Sequence, residues 1–249
     1  MFIIIMKNNL IVLLFILIFS GNLKSQNILM SKNSAINLPN YDEAWIHFGF
    51  LIGLHSSYYR INYSEKYASP EFSDLHSIVP LSKPGFKLGF ISDINIIYPF
   101  DLRTLLQVSF YEFSLEYKYL NGDVFSDTRA ATLVELPILV KYKSQRRKNL
   151  RMYIISGLKP GIEVGAKNKD EAGKDILGLK AYDISFELGF GADIFFELFK
   201  LSPEIRYSRG LINMIKKSEN GVPNIYSDPI EKIIPHNLSI FFTFEGGPN

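Results

Sequence analysis

The chain has 249 residues, carries 27 Lys and Arg against 25 Asp and Glu, and contains no cysteine. The missing thiols exclude disulfides, thiol catalysis and lipid attachment to an N-terminal cysteine. The near balance of charge argues against electrostatic capture of nucleic acid, so we expect no nucleic-acid partner. Aromatic residues are plentiful, with 20 Phe and 14 Tyr, as is typical of β-strands.

The N-terminus has the pattern of a secretory signal. Lys7 precedes an uninterrupted apolar run over residues 10–19, and small residues lead to Ser25. This order predicts a signal peptide over residues 1–25, cleaved after Ser25. The alternative is a retained anchor helix, although the run is short for a membrane span. Loss of Lys7 and Lys24 would leave 25 basic and 25 acidic residues. Residues 26–44 are then expected to form a periplasmic arm.

Beyond the arm, eight stretches alternate apolar and polar residues. They cover residues 46–54, 86–96, 103–119, 134–143, 151–163, 180–196, 199–211 and 237–245. A period of two indicates a strand with one apolar face, and a strand of about ten residues suits a tilted crossing of a bilayer. The sequence therefore predicts an all-β fold, an eight-stranded antiparallel transmembrane β-barrel over residues 45–246.

The connections between these stretches alternate in length. Residues 98–102, 144–149 and 197–199 make short links, whereas residues 59–84, 121–128, 166–178 and 212–235 make longer ones. Barrels of bacterial outer membranes have short periplasmic turns and longer exterior loops. We therefore expect the outer membrane of a Gram-negative bacterium, with both termini in the periplasm.

Two features depart from a regular barrel. The apolar parity changes near Phe110 and Tyr111 within the third stretch, which predicts a one-residue bulge there. Pro137, Pro160 and Pro203 each remove a ladder donor, although a closed barrel has no free edge. We expect a local irregularity at Pro137, which lies in the middle of a good pattern.

Alternation alone also permits a soluble, lipocalin-like barrel with its apolar face inward. The polar parity, however, is rich in glycine and carries both signs of charge, which suits a narrow, filled lumen with lipid outside. Such a lumen argues against a pore. The predicted lumen charge network comprises Lys87, Asp93, Glu135, Lys141, Arg151, Lys159, Glu163, Asp183, Glu187, Asp193, Lys200, Glu204 and Arg206.

Several strings resemble the PorT family, also called SprT, of outer-membrane barrel proteins in type IX secretion and gliding. They are LPNYDE at residues 38–43, HFGFLIGL at 47–54, KPGFKLGFISDI at 83–94, FDLR at 100–103, VELPILVKYKSQRRKN at 134–149, ELGFGADIFF at 187–196 and FKLSPEIRYSRGL at 199–211. The resemblance implies a non-enzymatic part in moving folded cargo across the outer membrane and in displaying gliding adhesins. It implies outer-membrane lipids and other secretion-machinery proteins as partners. The alternative is a generic small barrel of the OmpA/OmpX type, serving adhesion or envelope integrity.

The basic turn Arg146, Arg147 and Lys148 has two interpretations. It is a solvated turn with cations near phospholipid headgroups, or it docks a periplasmic secretion component.

The sequence offers little for catalysis or metal binding. Histidines 47, 55, 76 and 236 are too scattered for a ligand set. His236, Ser239 and Glu245 invite comparison with outer-membrane lipid hydrolases. Their place on a predicted strand explains them better, because only their spacing, and no known geometry, suggests a catalytic site. We therefore expect no catalytic residue, metal, cofactor or small-molecule substrate.

Overall fold

The computed structural model describes residues 35–164, 177–216 and 226–246. Within them lie ten strand segments: β1 (Ile46–Tyr63), β2 (Leu75–Leu81), β3 (Lys83–Ile97), β4 (Phe100–Tyr119), β5 (Val124–Glu135), β6 (Ile138–Lys143), β7 (Leu150–Glu163), β8 (Tyr182–Phe195), β9 (Phe199–Gly210) and β10 (Ile230–Gly246). Among these residues, no helix is long and apolar enough to cross a membrane. The predicted signal peptide, residues 26–34 of the arm and most of the 166–178 loop lie outside the described residues.

The ten segments form eight staves of one closed, antiparallel barrel. Segments β2 and β3 make one stave, because both pair with β4 on either side of a break at Ser82. Segments β5 and β6 make another, because both pair with β4 and β7. Strand β10 pairs with β1 and closes the ring. The predicted eight-stranded antiparallel barrel is confirmed.

Strand β8 shows which face is outside. Phe186 and Phe190 project outward and are 42% and 51% exposed, whereas Glu187 and Asp193 are 1% and 0% exposed. The same alternation runs through the barrel, so its outer wall carries an apolar belt and its charges lie inside. An apolar exterior suits a hydrocarbon solvent and not water. The alternative of a soluble, inside-out barrel is therefore wrong.

The predicted bulge near Phe110 and Tyr111 is also wrong. Strand β4 keeps one register against β5 through these residues, and the one-residue offset lies in the opposite stave, between the Leu81–Ser114 and Phe86–Phe110 pairs. Beyond Tyr111 the inner face becomes apolar, with Leu115 and Tyr117 fully buried, while Glu116 is partly exposed on the outer face. Here the apolar side chains lie on the inner face and the polar ones on the outer face, because this part of the wall rises beyond the apolar belt.

That raised wall changes the predicted connections. Strand β5 begins at Val124 and pairs with the end of β4, so the predicted loop over residues 121–128 is a tight turn. Similarly, β1 extends to Tyr63 and β2 lies within the predicted 59–84 connection. The end of the barrel that bears the connections 64–74, 120–123, 164–181 and 211–229 is called the loop end. The other, which bears the turns 98–99, 144–149 and 196–198, is called the short-turn end.

The prolines disturb the sheet locally. The expected irregularity at Pro137 is present, because β5 ends at Glu135 and β6 begins at Ile138. Backbone hydrogen bonds still cross the break, because the proline carbonyls accept them. Leu105 N donates to Pro137 O over 3.0 Å, and Leu136 N donates to Pro160 O over 2.9 Å. Opposite Pro203, the β8–β9 pairing lapses between Gly191 and Ile194. A missing N–H therefore removes pairs without breaking the ring.

Candidate functional site

The lumen holds a dense set of ionised side chains. All thirteen residues of the predicted network face inward and are 8% exposed or less. Among the buried residues of the described chain, eight cations face nine carboxylates. Arg129, with a side chain 14% exposed, pairs with Glu163 at 2.5 Å and brings the signs into balance. Because an unpaired buried charge costs several kcal/mol, this balance is a condition for folding.

Arg103 organises the part of the network nearer the short-turn end. Its Nε and Nη2 donate to the two carboxylate oxygens of Asp93, each over 2.6 Å. Its Nη1 donates to Glu204 Oε2 over 3.0 Å, and Tyr153 donates to the same oxygen over 2.6 Å. A two-pronged arginine–carboxylate contact fixes geometry as well as charge. Arg103 thereby ties β4 to β3 beside it and to β9 across the lumen.

Asp193 on β8 is the acidic centre of the same layer. Lys141 Nζ lies 3.1 Å from Oδ1, and Arg151 Nε lies 3.1 Å from Oδ2. Ser202 donates to Oδ1 over 2.8 Å, and Lys200 Nζ lies 3.8 Å away. One fully buried carboxylate thus serves three cations from three strands.

A second layer surrounds Glu135, at the end of β5. Lys159 Nζ is 2.8 Å from Oε1, and Tyr111 donates to the same oxygen over 2.8 Å. Gln107 donates to Oε2 over 2.7 Å, while Lys87 Nζ stands 3.8 Å from it. The two layers fill the middle of the barrel with fixed, paired charge.

Two glycines make room for the large side chains of the lumen. A Cβ at Gly53 would lie 2.5 Å from the ring of Phe241, and a Cβ at Gly191 would lie 2.5 Å from that of Tyr153. Both distances are far below van der Waals contact. The glycines of the polar parity therefore let aromatic rings cross a narrow lumen.

The arm closes the short-turn end. Residues Tyr41–Glu43 form one turn of 3-10 helix, and Tyr41 is 1% exposed inside the mouth. Its ring stacks on His47 with centroids 3.8 Å apart, and its hydroxyl donates to Glu245 Oε2 over 2.7 Å. Lys200 Nζ lies 4.7 Å from the ring. Burial, together with the Glu245 carboxylate, raises the pKa of Tyr41, which therefore stays a neutral donor.

Asp42 fastens the arm a second time. Arg151 Nη1 donates to its Oδ1 over 2.6 Å, so Arg151 joins the arm to the Asp193 centre. Burial opposes ionisation of Asp42, but the Arg151 guanidinium outweighs it and lowers the pKa of this carboxyl.

The basic turn faces the arm from the other side. Arg146 Nη1 donates to Leu38 O over 2.9 Å and Nη2 donates to Asn37 O, while the guanidinium lies 3.6 Å from the Phe195 ring centroid. Asn149 donates to Ala35 O over 2.9 Å. Arg147 is exposed and Lys148 is partly exposed. Of the three predicted docking residues, Arg146 thus binds the arm of its own chain, whereas the side chain of Arg147 is exposed to solvent.

The hydrolase-like trio does not come together. Ser239 faces the lumen and donates to Asn237. His236 has the outward parity instead, and the Tyr207 hydroxyl lies 2.5 Å from its Nδ1. Glu245 lies six residues after Ser239 along β10, about 20 Å away at the rise of a strand, and there it binds Lys200. Within the described residues, no group of three His, Asp or Glu side chains could hold a metal ion.

Four buried charges lie outside the predicted network: Asp101, Arg103, Lys143 and Glu245. The parity that indicated the other lumen residues also includes Asp101 and Arg103, but these two fall at the edge of the predicted short turn. Lys143 lies 2.7 Å from Asp101, so this pair extends the network to the short-turn end. The hydrogen bonds that fix Tyr41 and Asp42 could not be found by parity, because they join residues more than a hundred positions apart.

The chain matches a known protein family. The family model described as outer membrane protein beta-barrel domain matches residues 33–216, about three quarters of the chain. The chain belongs to this family. An outer membrane protein beta-barrel domain places this protein in the outer membrane, and its apolar belt is the surface that meets lipid.

Solved structures give weaker likenesses. OprG from Pseudomonas aeruginosa is 12% identical with a TM-score of 0.41, and covers 81% of this chain and 93% of its own. Neisserial surface protein A is 12% identical with a TM-score of 0.36, covering 78% and 95%. The N-terminal barrel domain of OprF from Pseudomonas aeruginosa is 13% identical with a TM-score of 0.30, covering 78% and 97%. No curated protein matches the chain.

Proposed function

We propose that this outer membrane barrel is a PorT/SprT-type component of type IX secretion, a non-enzymatic accessory that supports transport without conducting cargo itself. The observation that carries the proposal is the obstructed lumen. Paired charges fill its middle around Arg103 and Asp193, and Tyr41 occupies the short-turn mouth. Eight strands leave room for side chains and little more. Function therefore belongs to the surfaces of the barrel, and the quoted strings of the PorT family supply the task.

In this proposal the short-turn end and the arm face the periplasm and engage other secretion-machinery proteins. Arg147 is exposed there beside a cleft of about 650 Å³ that is also lined by Tyr98, Tyr142 and Lys143. Exposed aromatics next to an unoccupied arginine are a common composition of protein interfaces. Arg147 is accordingly the side chain of the basic turn that we assign to docking.

Orientation can be tested separately from function. The chain contains no cysteine, so a single cysteine at Arg147 or at Asn121 reports on one end alone. A membrane-impermeant maleimide added to intact cells should label Asn121→Cys and spare Arg147→Cys until the outer membrane is permeabilised. The reverse labelling would contradict the orientation.

The function is tested by deletion. The deletion strain should retain cargo in the periplasm and lack surface adhesins, and the wild-type gene should restore both. Arg147→Glu should restore them poorly, although the barrel inserts normally. Lys118→Glu, at the loop end, is the matched control and should restore them fully. Cargo in the medium at normal levels in the deletion strain would sink the assignment.

A generic barrel for adhesion or envelope integrity is the second candidate. The raised wall favours it, because β4 and β5 rise beyond the belt around an apolar cluster that includes Phe113, Leu115 and Tyr117. A rigid exterior wall is a suitable base for adhesive contacts. A deletion strain with intact secretion but altered surface binding would select this candidate.

A further inference from the structure

Three neighbouring staves carry outward rings and cations near the loop end. On β1 and β9 the outward stripe ends in a tyrosine followed two residues later by an arginine, whereas on β10 the buried Ile234 separates His236 from Lys232. The residues of outward parity are Leu54, Ser56, Tyr58 and Arg60 on β1; Leu238, His236, Ile234 and Lys232 on β10; and Ile205, Tyr207 and Arg209 on β9. Rings and cations on three adjacent strands form a common surface.

The register places these residues side by side. His236 on β10 is opposite Tyr58 of β1 and opposite Arg209 of β9. The His236 ring stacks with Tyr58 at 5.4 Å between centroids, and the Tyr207 hydroxyl lies 2.5 Å from its Nδ1. The three rings therefore form one aromatic platform that adjoins Arg209 and precedes Arg60 by two residues along β1.

The cations of this surface differ from others near the loop end. The side chains of Arg60 and Arg209 are exposed, and neither guanidinium has a hydrogen bond or ion pair with another described residue. By contrast, Lys83 lies 3.3 Å from Glu112 and Lys118 lies 3.8 Å from Glu116. The β9–β10–β1 surface thus presents arginines that no described carboxylate neutralises.

The aromatic platform indicates the depth at which the cations lie. Tyrosines of membrane barrels gather at the level of the lipid headgroups. Basic side chains just beyond them meet headgroup phosphates, and a guanidinium binds phosphate oxygens in pairs. In the orientation given under Proposed function, on which this step rests, these phosphates belong to the outer leaflet.

We propose that Arg60 and Arg209 form a binding site for the phosphate groups of the outer-leaflet glycolipid, lipid A. The acyl chains lie along the apolar stripes of β9, β10 and β1, the sugar lies over the aromatic platform, and the phosphates pair with the cations. Lys232 adjoins the exposed Glu231 at a register irregularity of β10, so the site is assigned to the two arginines.

The test uses the full, folded chain in detergent micelles, with native mass spectrometry to count bound lipid. The probes are lipid A with two phosphates, the same lipid after enzymatic removal of both phosphates, and phosphatidylglycerol. Each basic side chain near an anionic lipid surface contributes about fivefold in affinity. Arg60→Ala/Arg209→Ala should therefore weaken binding of phosphorylated lipid A about 30-fold and leave the dephosphorylated lipid unaffected.

Two controls keep the result specific. Lys118→Ala removes a paired cation on the raised wall and should change nothing, while Arg60→Lys/Arg209→Lys keeps the charge and should retain most of the affinity. Wild-type affinity in the double alanine variant, once its fold is verified by heat-dependent gel mobility, would overturn the proposal. Equal competition by phosphatidylglycerol would overturn it too, by showing a general anionic-lipid surface. Neither measurement depends on secretion, so the deletion experiment can fail independently.

Discussion

The hydroxyl of Tyr41 donates to Oε2 of Glu245 over 2.7 Å. This bond joins the arm to β10, 204 positions later in the chain. Lys200 Nζ lies 2.8 Å from the same carboxylate oxygen, so the arm is attached to the charge network and not merely laid against the mouth.

Loss of the Tyr41 side chain should release the arm. Tyr41→Phe removes one hydrogen bond to a charged acceptor and should weaken docking by about 1.5–3 kcal/mol. Tyr41→Ala also removes a buried ring and should cost about 3–5 kcal/mol. Amide hydrogen exchange over residues 37–43 measures both. Ile36→Ala is the control, because Ile36 is 59% exposed. Unchanged exchange in Tyr41→Ala would show that the arm is held elsewhere.

Arm docking should depend on pH through Asp42. Arg151 lowers the pKa of Asp42 against the effect of burial. A carboxyl with a lowered folded-state pKa stabilises above its unfolded value of about 3.9, and that contribution is lost as the pH falls through the folded value. Docking should therefore be constant from neutral pH to about pH 4 and weaken below it.

The readout is emission from Trp45, the single tryptophan, which directly follows the arm. Asp42→Asn should lower docking at neutral pH and flatten the acid transition. A transition of equal size in Asp42→Asn would assign it to other groups.

Asp193 should be the most sensitive position of the lumen. Asp193→Asn leaves Lys141 and Arg151 without their shared partner, and breaking a buried ion pair costs about 3–5 kcal/mol. Glu116→Gln is the matched control, since its surface pair with Lys118 spans 3.8 Å and contributes about 1 kcal/mol or less. Guanidinium unfolding in phospholipid vesicles measures both. Equal losses in the two variants would refute a special role for the buried centre.

Gly191 should tolerate no added methyl group. Its ideal Cβ lies 2.5 Å from both Cζ and the hydroxyl oxygen of Tyr153, whereas nothing lies within 4 Å of a Cβ at Gly246. Gly191→Ala should destabilise by about 1–3 kcal/mol through overpacking, and Gly246→Ala should be near neutral. The same unfolding experiment compares them, and a neutral Gly191→Ala would mean that Tyr153 moves aside freely.

Period-two alternation was enough to predict the staves and their antiparallel closure, and the chemistry of proline was enough to place the break at Pro137. Both depend on local rules. The bulge near Phe110 was misread because alternation reports which face is apolar and not what that face touches. Where the wall leaves the belt, water replaces hydrocarbon outside and Tyr117 is buried inside, so the pattern inverts on an unbroken strand. Asp101 was missed because β4 begins at Phe100, within the predicted short turn, and Arg103 was left out of the network although the predicted stretch begins with it.

The pairing of β10 with β1 has a consequence for biogenesis. A nascent polypeptide that lacks its final strand exposes two hydrogen-bonding edges, each able to recruit another chain and aggregate. Insertion must then await complete synthesis, and a holding chaperone would be needed during transit. A C-terminal truncation before Ile230 should consequently yield insoluble material and no shortened barrel.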